Sequence, residues 1–344
     1  MKTFRKITSW IIVSLVVQFA GLFYINNYFL SSNTEIKTKK IVKSEPKKDD
    51  AVVKIPDDAT NISTSFDGMY ISYYEENTLK IINTKNGNEK NIYFKNGSKM
   101  SFYKWLKDRN RMLIAEKQSS DSEDDGYIFN LEYYEVDKDI KENIKKLKDL
   151  SSKTEIEDIQ ESPLTNVIYI KTKDSGERTN IYRINIMNEM EKVKTNSCIV
   201  GNMGILSLKD KLIYEDDIYH KIYVTGQDEP LNLSSVKNPV WVGVDDDDRV
   251  YIGDMQDNKV SNLYYGNIDD TNKNYQTINI GESVNASDIY VNKSGKVYVN
   301  NNLKGEVKDI SSGKTYTYHG QFVQMYDNGI ISVSDGKLVK TLLN

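Results

Sequence analysis

Cysteine, histidine and blocks of like charge are all scarce in this 344-residue chain. One cysteine, Cys198, excludes an intrachain disulfide. It lies in Ser197-Cys198-Ile199-Val200, which reads as a strand, so the expectation is a buried, inert thiol. The two histidines are His220 and His319. Neither has a His, Cys or Glu at metal-ligand spacing on a common element, which argues against zinc and leaves both as ordinary strand or loop residues. There is no Gly-x-Ser-x-Gly elbow, no His-Glu-x-x-His helix and no glycine-rich phosphate loop. Net charge is −4 with both signs interspersed, so no basic stripe exists for nucleic acid. No catalytic, cofactor-binding or metal-binding residue is assigned, and an enzyme is not the expectation.

Long apolar runs are also absent, with one exception. Lys2, Arg5 and Lys6 precede a stretch from Ile7 to Thr34 that carries no charge, with an apolar centre from Trp10 to Ile25. A membrane helix needs about 20 such residues. Tyr24, Tyr28 and Phe29 lie at its outer end, where aromatic side chains favour the interface. The stretch has no small-residue cleavage motif stronger than Ser31-Ser32 and no cysteine to take a lipid, so residues 1–30 read as an uncleaved signal-anchor. Residues 31–50, with Pro46 and paired lysines, read as a flexible tether. The six lysines at 37, 39, 40, 43, 47 and 48 would, counted alone, favour a cytoplasmic C-terminus. The basic-then-apolar start resembles an export signal, and on that ground the rest of the chain is placed outside.

Residues 51–344 repeat one unit. A turn rich in Asp, Gly, Asn or Lys is followed at once by a short β-rich run. The turns are Asp67-Gly68, Asp108-Arg109-Asn110-Arg111, Leu164-Thr165-Asn166, Lys209-Asp210, Asp246-Asp247-Asp248-Arg249, Ser294-Gly295-Lys296 and Asp327-Asn328-Gly329. Their runs include Met69-Tyr70-Ile71-Ser72-Tyr73, Met112-Leu113-Ile114-Ala115 and Val250-Tyr251-Ile252. A second strand follows each run, for example Ile181–Ile186 and Lys221–Val224. Preceding strands such as Ser101–Leu106 and Val240–Val244, and following strands such as Lys90–Phe94, make four strands per unit of roughly 40 residues, the arithmetic of propeller blades. The expected fold is all-β, a β-propeller of seven four-stranded blades, with six as the alternative count. The seventh unit lacks a fourth strand, and Val52-Val53-Lys54-Ile55 is expected to supply it and close the ring.

Two acidic clusters remain. Asp245-Asp246-Asp247-Asp248 occupies a repeat turn, where Asp bonds its own backbone. Glu123-Asp124-Asp125-Gly126 lies in the loop from Lys117 to Gly126. Neither has the ligand spacing and closing Glu of an EF-hand, so both read as solvated turns rather than calcium sites. Asp139–Leu150 has a helical apolar spacing in Ile140, Ile144 and Leu147. The repeat instead requires a turn at Lys141-Glu142-Asn143 and a strand from Ile144 to Leu150.

The units resemble the propeller repeats of TolB-like proteins and of the N-terminal domain of dipeptidyl peptidase IV. Ser65-Phe66-Asp67-Gly68-Met69-Tyr70-Ile71 looks like their Ser-Pro-Asp-Gly signature, with Phe66 in place of proline. Trp105–Ile114 is a looser likeness. The resemblance covers most of residues 60–344. It implies a fold and a binding-scaffold role without an inherited activity, since the peptidase's hydrolase domain has no counterpart. The expected function is therefore a membrane-tethered, extracytoplasmic, non-catalytic binding module of the cell envelope. Its partner would be an envelope protein or a wall polymer, with the membrane engaged through residues 7–30 and no nucleic acid. The alternatives are an envelope enzyme acting on glycan or peptide, or a ligand sensor working through a membrane partner.

Overall fold

A computed structural model describes residues 2–25, 51–94, 97–119, 127–233, 236–269 and 275–343. The tether expected over 31–50 and the cluster Glu123–Gly126 lie outside the described residues. The chain divides into two compact units, Met1–Lys48 and Asp49–Asn344.

In the first unit, α1 (Lys2–Tyr24) is a helix of 23 residues. At 1.5 Å per residue it is roughly 34 Å long, enough for a hydrocarbon core of about 30 Å. Its segment Phe4–Tyr24 is long and apolar enough to cross a membrane, with Trp10, Phe19 and Phe23 exposed. A signal segment near an N-terminus meets the same two criteria.

The second unit is a ring of seven antiparallel blades, each a meander in chain order. Blade 1 holds β1 (Thr60–Thr64), β2 (Tyr70–Glu75), β3 (Thr78–Asn83) and β4 (Glu89–Tyr93). Blade 2 holds β5 (Lys99–Trp105), β6 (Arg111–Ser119), β7 (Tyr127–Glu135) and β8 (Ile140–Leu150). Blade 3 holds β9 (Glu155–Glu161), β10 (Ile168–Lys173), β11 (Thr179–Ile184) and β12 (Met190–Lys192). Blade 4 holds β13 (Val200–Ile205), β14 (Leu212–Asp216) and β15 (Lys221–Val224). Its fourth position is taken by an irregular segment whose Leu231 amide donates to the Ile222 carbonyl at 2.8 Å. Blade 5 holds β16 (Pro239–Val244), β17 (Arg249–Gln256), β18 (Lys259–Asn267) and β19 (Gln276–Val284). Blade 6 holds β20 (Ile289–Val291), β21 (Val297–Asn301), β22 (Glu306–Asp309) and β23 (Thr315–Thr317). Blade 7 holds β24 (Gln321–Tyr326), β25 (Gly329–Ser334) and β26 (Lys337–Leu342).

The outer edge of blade 7 is covered from the start of the same unit. Lys54 bridges Lys337, the Ile55 amide donates to Gly336 O at 2.8 Å, and the Leu338 amide donates to Val53 O at 2.9 Å. Val53 and Ile55 are buried with Ile71, Tyr73 and Ile331, where blades 7 and 1 meet.

Three local expectations need correction. The helix-like stretch after Asp139 is indeed a strand, but its turn lies at 136–139 rather than at Lys141-Glu142-Asn143. Asp139 takes the left-handed conformation there (φ 56°), which Asp tolerates better than most residues. The strand expected over Ile181–Ile186, which is β11, the third of blade 3, stops at Ile184, because Asn185 Oδ1 accepts the Met187 and Glu189 amides and folds a turn. Cys198 is exposed and precedes β13. The Ser197 hydroxyl engages Ile199 O and Asp216 Oδ1, both at 2.8 Å, and holds the chain out of the strand.

Packing explains why the second strands read as continuous apolar runs. Each of the seven hydrophobic clusters lies between two neighbouring blades, so the second strand of every blade is covered on both faces. With a period of two, its residues alternate between clusters. Met112 and Ile114 of β6 face blade 1, whereas Leu113 and Ala115 face blade 3. Tyr251 of β17 faces blade 6, whereas Val250 and Ile252 face blade 4. Close approach between blades sets one glycine: a Cβ on Gly204 would run into the Trp241 ring of blade 5.

Polar ties complete the ring. The turns joining the first and second strands of all blades lie at one end of the barrel of blades, and each is bonded to the next. Asn110 Nδ2 donates to Asp67 at 3.1 Å, linking blades 2 and 1. Arg109 donates to Pro163 O at 3.4 Å, and Ser162 Oγ to Ser207 O at 3.1 Å. Asp248 accepts the Ser207 and Leu208 amides at 2.6 and 3.1 Å. The Asp246 amide donates to Lys293 O at 3.0 Å, and Lys293 Nζ to Asp327 at 2.8 Å. The Asp327 amide closes the circle on Phe66 O at 3.1 Å. Between blades 3 and 4, Asp210 also receives Tyr169 OH at 2.8 Å and Arg183 Nε at 3.0 Å. Burial would raise the Asp210 pKa, but the hydrogen bonds from Arg183 and Tyr169 outweigh it and hold the pKa below its ordinary value.

Two outcomes follow. Ile55→Ala removes a buried side chain at ring closure and should cost about 2–5 kcal/mol in urea denaturation. Asp210→Asn should cost about 1.5–3 kcal/mol at pH 7, the value of hydrogen bonds to a charged group. Because the folded-state pKa of Asp210 is depressed, its contribution is present above the unfolded value near 3.9 and lost as pH falls through the folded value. Denaturation of wild type and variant should therefore converge in acid.

Candidate functional site

Each of those turns begins with the same backbone closure. The amides of Ser65, Leu106, Ser162, Leu206, Asp245 and Asn292 each donate across the turn to the start of the second strand, for example to Tyr70 O at 2.9 Å and to Arg111 O at 2.9 Å. In blade 7, Tyr326 pairs directly with Gly329. One residue further on, the seven turns place Phe66, Lys107, Pro163, Ser207, Asp246, Lys293 and Asp327 in equivalent positions. All of these except Pro163 line a single cavity of ≈640 Å³. It is a funnel at the turn end of the ring, walled deeper by inner-strand residues of which Phe102, Tyr290 and Met325 supply apolar surface.

The charges of the funnel are unevenly paired. Lys293 is held by Asp327 at 2.8 Å and lies 4.7 Å from the centroid of the Phe66 ring. Lys104 of β5 is held by Asp158 of β9 at 2.8 Å. Lys107 and Asp246 have no hydrogen bond or ion pair through their side chains among the described residues. Lys107 stands on the blade 2 side and Asp246 on the blade 5 side. Solvent in the funnel reaches both side chains, although protein surrounds the Lys107 position. This enclosure, with Lys104 beside it, pushes Lys107 down to about 8 against the opposing pull of Asp158 and Asp246. Burial likewise raises the Asp246 carboxyl above its ordinary value, opposed by Lys293 and Lys107.

Of the residues weighed from sequence, Asp246 enters the funnel without a side-chain partner among the described residues, and the other described ones lie elsewhere or are engaged. His220 and His319 are both exposed, in the β14–β15 turn and before β24, on different blades. His220 lines a separate cavity of ≈990 Å³ with Asp228 and Asp269 at the edge of blades 4 and 5. The four aspartates of blade 5 diverge in role. Asp245 accepts the Asp247 and Arg249 amides, Arg249 Nε at 2.7 Å and Tyr251 OH at 3.0 Å. Asp247 pairs with Arg249 at 3.2 Å, Asp248 ties blade 4, and Asp246 enters the funnel. Among the described residues, no three His, Cys, Asp or Glu side chains converge as a metal site. Sequence reading missed Lys107, Lys293 and Phe66 as site residues. Stacking the seven turns in register and reading down the column after the closure residue would have found them.

No family model and no curated protein matches the chain. Solved structures do. Oligogalacturonate lyase in complex with manganese is 9% identical and aligns over 86% of this chain and 96% of its own, with a TM-score of 0.56. A prolyl endopeptidase is 11% identical and aligns over 81% of this chain and 46% of its own, with a TM-score of 0.51. TolB from Acinetobacter baumannii is 12% identical over 66% of this chain and 54% of its own, with a TM-score of 0.38. At these identities the likeness is one of fold, a β-propeller, and it transfers no activity.

The funnel charges give one stability test. Lys107→Met removes an ammonium whose folded-state pKa is depressed, so the variant should be more stable than wild type at pH 7. The difference should shrink as pH rises from about 8 towards the unfolded value near 10.4, where wild type no longer carries the charge in either state. Denaturant midpoints measured across this range check it.

Proposed function

We propose that the chain is a membrane-tethered propeller that works as a non-catalytic binding module on the extracytoplasmic side of the cell envelope, with the funnel end as its binding face. The observation that carries this reading is the mouth itself. Six of the seven equivalent turn residues, on turns bonded one to the next, present apolar and oppositely charged groups on a rigid rim, the arrangement by which a scaffold offers a binding surface. Exposed apolar side chains stand on turns at the same end of blades 3 and 4: Leu164, Ile186, Met187 and Leu208. Such side chains favour contact with a partner. The apolar helix α1 supports tethering, and the basic-then-apolar start supports export. The partner is an envelope protein or a wall polymer.

A second reading, an envelope enzyme, draws on one observation. Lys107 and Asp246 share a cavity with pKa values displaced towards neutrality, as acid–base pairs require.

One experiment separates them. Full-length chain in detergent is immobilised and exposed to solubilised membrane and to purified wall material. The binding reading expects retention of a specific component, released by excess untagged chain and lost in the triple variant Phe66→Ala, Lys107→Met, Asp246→Asn. Chemical conversion of the retained material supports the enzyme instead. Retention unchanged in the triple variant contradicts the funnel as the site. Protease added to intact cells should remove the propeller; protection would contradict the proposed orientation.

A further inference from the structure

The funnel mouth carries four charged residues at equivalent turn positions, and only two of them neutralise each other. Lys293 and Asp327 are adjacent in the ring and form an ion pair. That leaves one cation, Lys107 on blade 2, and one anion, Asp246 on blade 5, each without an ion-pair partner within 4.0 Å among the described residues. The turns hold them from different sides of the same cavity, and the backbone ties fix the turns. The Asp246 amide is bonded to Lys293 O at 3.0 Å, and the Lys107 turn is anchored on either side by Asn110–Asp67 and Arg109–Pro163. The same lining includes apolar surface from Phe66, Phe102, Tyr290 and Met325. Solvent in the funnel reaches both side chains, and a ligand that supplies both missing partners adds a charge-assisted contact at each end.

We propose that the funnel takes a zwitterionic ligand of the amino-acid class, with its carboxylate on Lys107, its ammonium on Asp246 and an apolar side chain against the Phe66–Phe102 wall. This rests on the funnel being the binding site and adds the chemistry of what enters it. Mixed charge excludes a simple anion site, because Asp246 and Asp327 repel a second carboxylate. The carboxylate requires Lys107 protonated, so affinity falls as pH rises through about 8.

The probe is the dipeptide glycyl-phenylalanine, compared with its N-acetyl derivative, which lacks the cation, and its C-terminal amide, which lacks the anion. Calorimetric titration uses the full-length chain in detergent micelles. The free dipeptide should bind at least tenfold more tightly than either capped form. Lys107→Met should abolish the preference for free acid over amide while keeping the preference for free amine. Asp246→Asn should do the reverse. Lys107→Arg, which keeps the charge, should bind and should keep the preference for free acid over amide at pH 7, where the dipeptide's own ammonium is still protonated. Denaturation midpoints confirm that each variant is folded. No binding of the free dipeptide, equal binding of all three forms, or an unchanged preference in both single variants overturns the proposal. Retention of an envelope component that depends on the funnel, together with failure of the dipeptide, would leave the binding reading standing and remove only this ligand class.

Discussion

The ring depends on a circle of hydrogen bonds between its seven first turns. Apolar clusters press each blade against its neighbours, but burial is non-directional and would accept small slips between blades. The turn-to-turn bonds are directional. Asp248 receiving two amides of blade 4, Asp246 donating to Lys293 O and Asp327 donating to Phe66 O fix both the spacing and the angle of adjacent blades. Closure of the circle is reinforced at the other radius, where Val53 and Ile55 cover the outer edge of blade 7 and leave it no free strand to aggregate.

The same circle makes the funnel. The residue one position beyond the closing amide lines the funnel in six of the seven turns, Pro163 being the exception, because its neighbours are committed to the turn and to the adjacent blade. The charged mouth is thus a by-product of turn geometry made specific by side-chain choice. Where that choice is Pro163 or Ser207 the rim is neutral; where it is Lys107 and Asp246 it holds opposite charges apart. Burial displaces both pKa values, Lys107 downward and Asp246 upward.

Much of the architecture was legible in the sequence. Turn residues such as Asp67-Gly68 and Asp327-Asn328-Gly329 act locally, and second strands such as Val250-Tyr251-Ile252 are apolar because two blades cover them. Seven blades could be read from those two signals. The rest was hidden for definite reasons. The polar ties that complete the ring join residues at least 27 positions apart, and Asp327 to Phe66 spans nearly the whole ring, so no local pattern encodes them. Cys198 was misjudged because its apolar neighbours Ile199 and Val200 look like a strand, while the deciding contact is the Ser197 hydroxyl on Ile199 O and Asp216. The turn before β8 was misplaced because Lys141-Glu142-Asn143 is as polar as the true turn at 136–139, and only the left-handed Asp139 distinguishes them.

The turn circle belongs to the cooperative structure and is no mere surface decoration. Native-state hydrogen exchange at the amides of Ser207, Asp246 and Asp327 tests it most directly. The account predicts that these turn amides exchange only with global unfolding, with protection equal to that of the buried amides of β6 and β17 and with the same denaturant dependence. Exchange by local opening, many fold faster than the strands and insensitive to denaturant, would contradict it: the blades would then be held by apolar packing alone, and the funnel mouth would be free to rearrange.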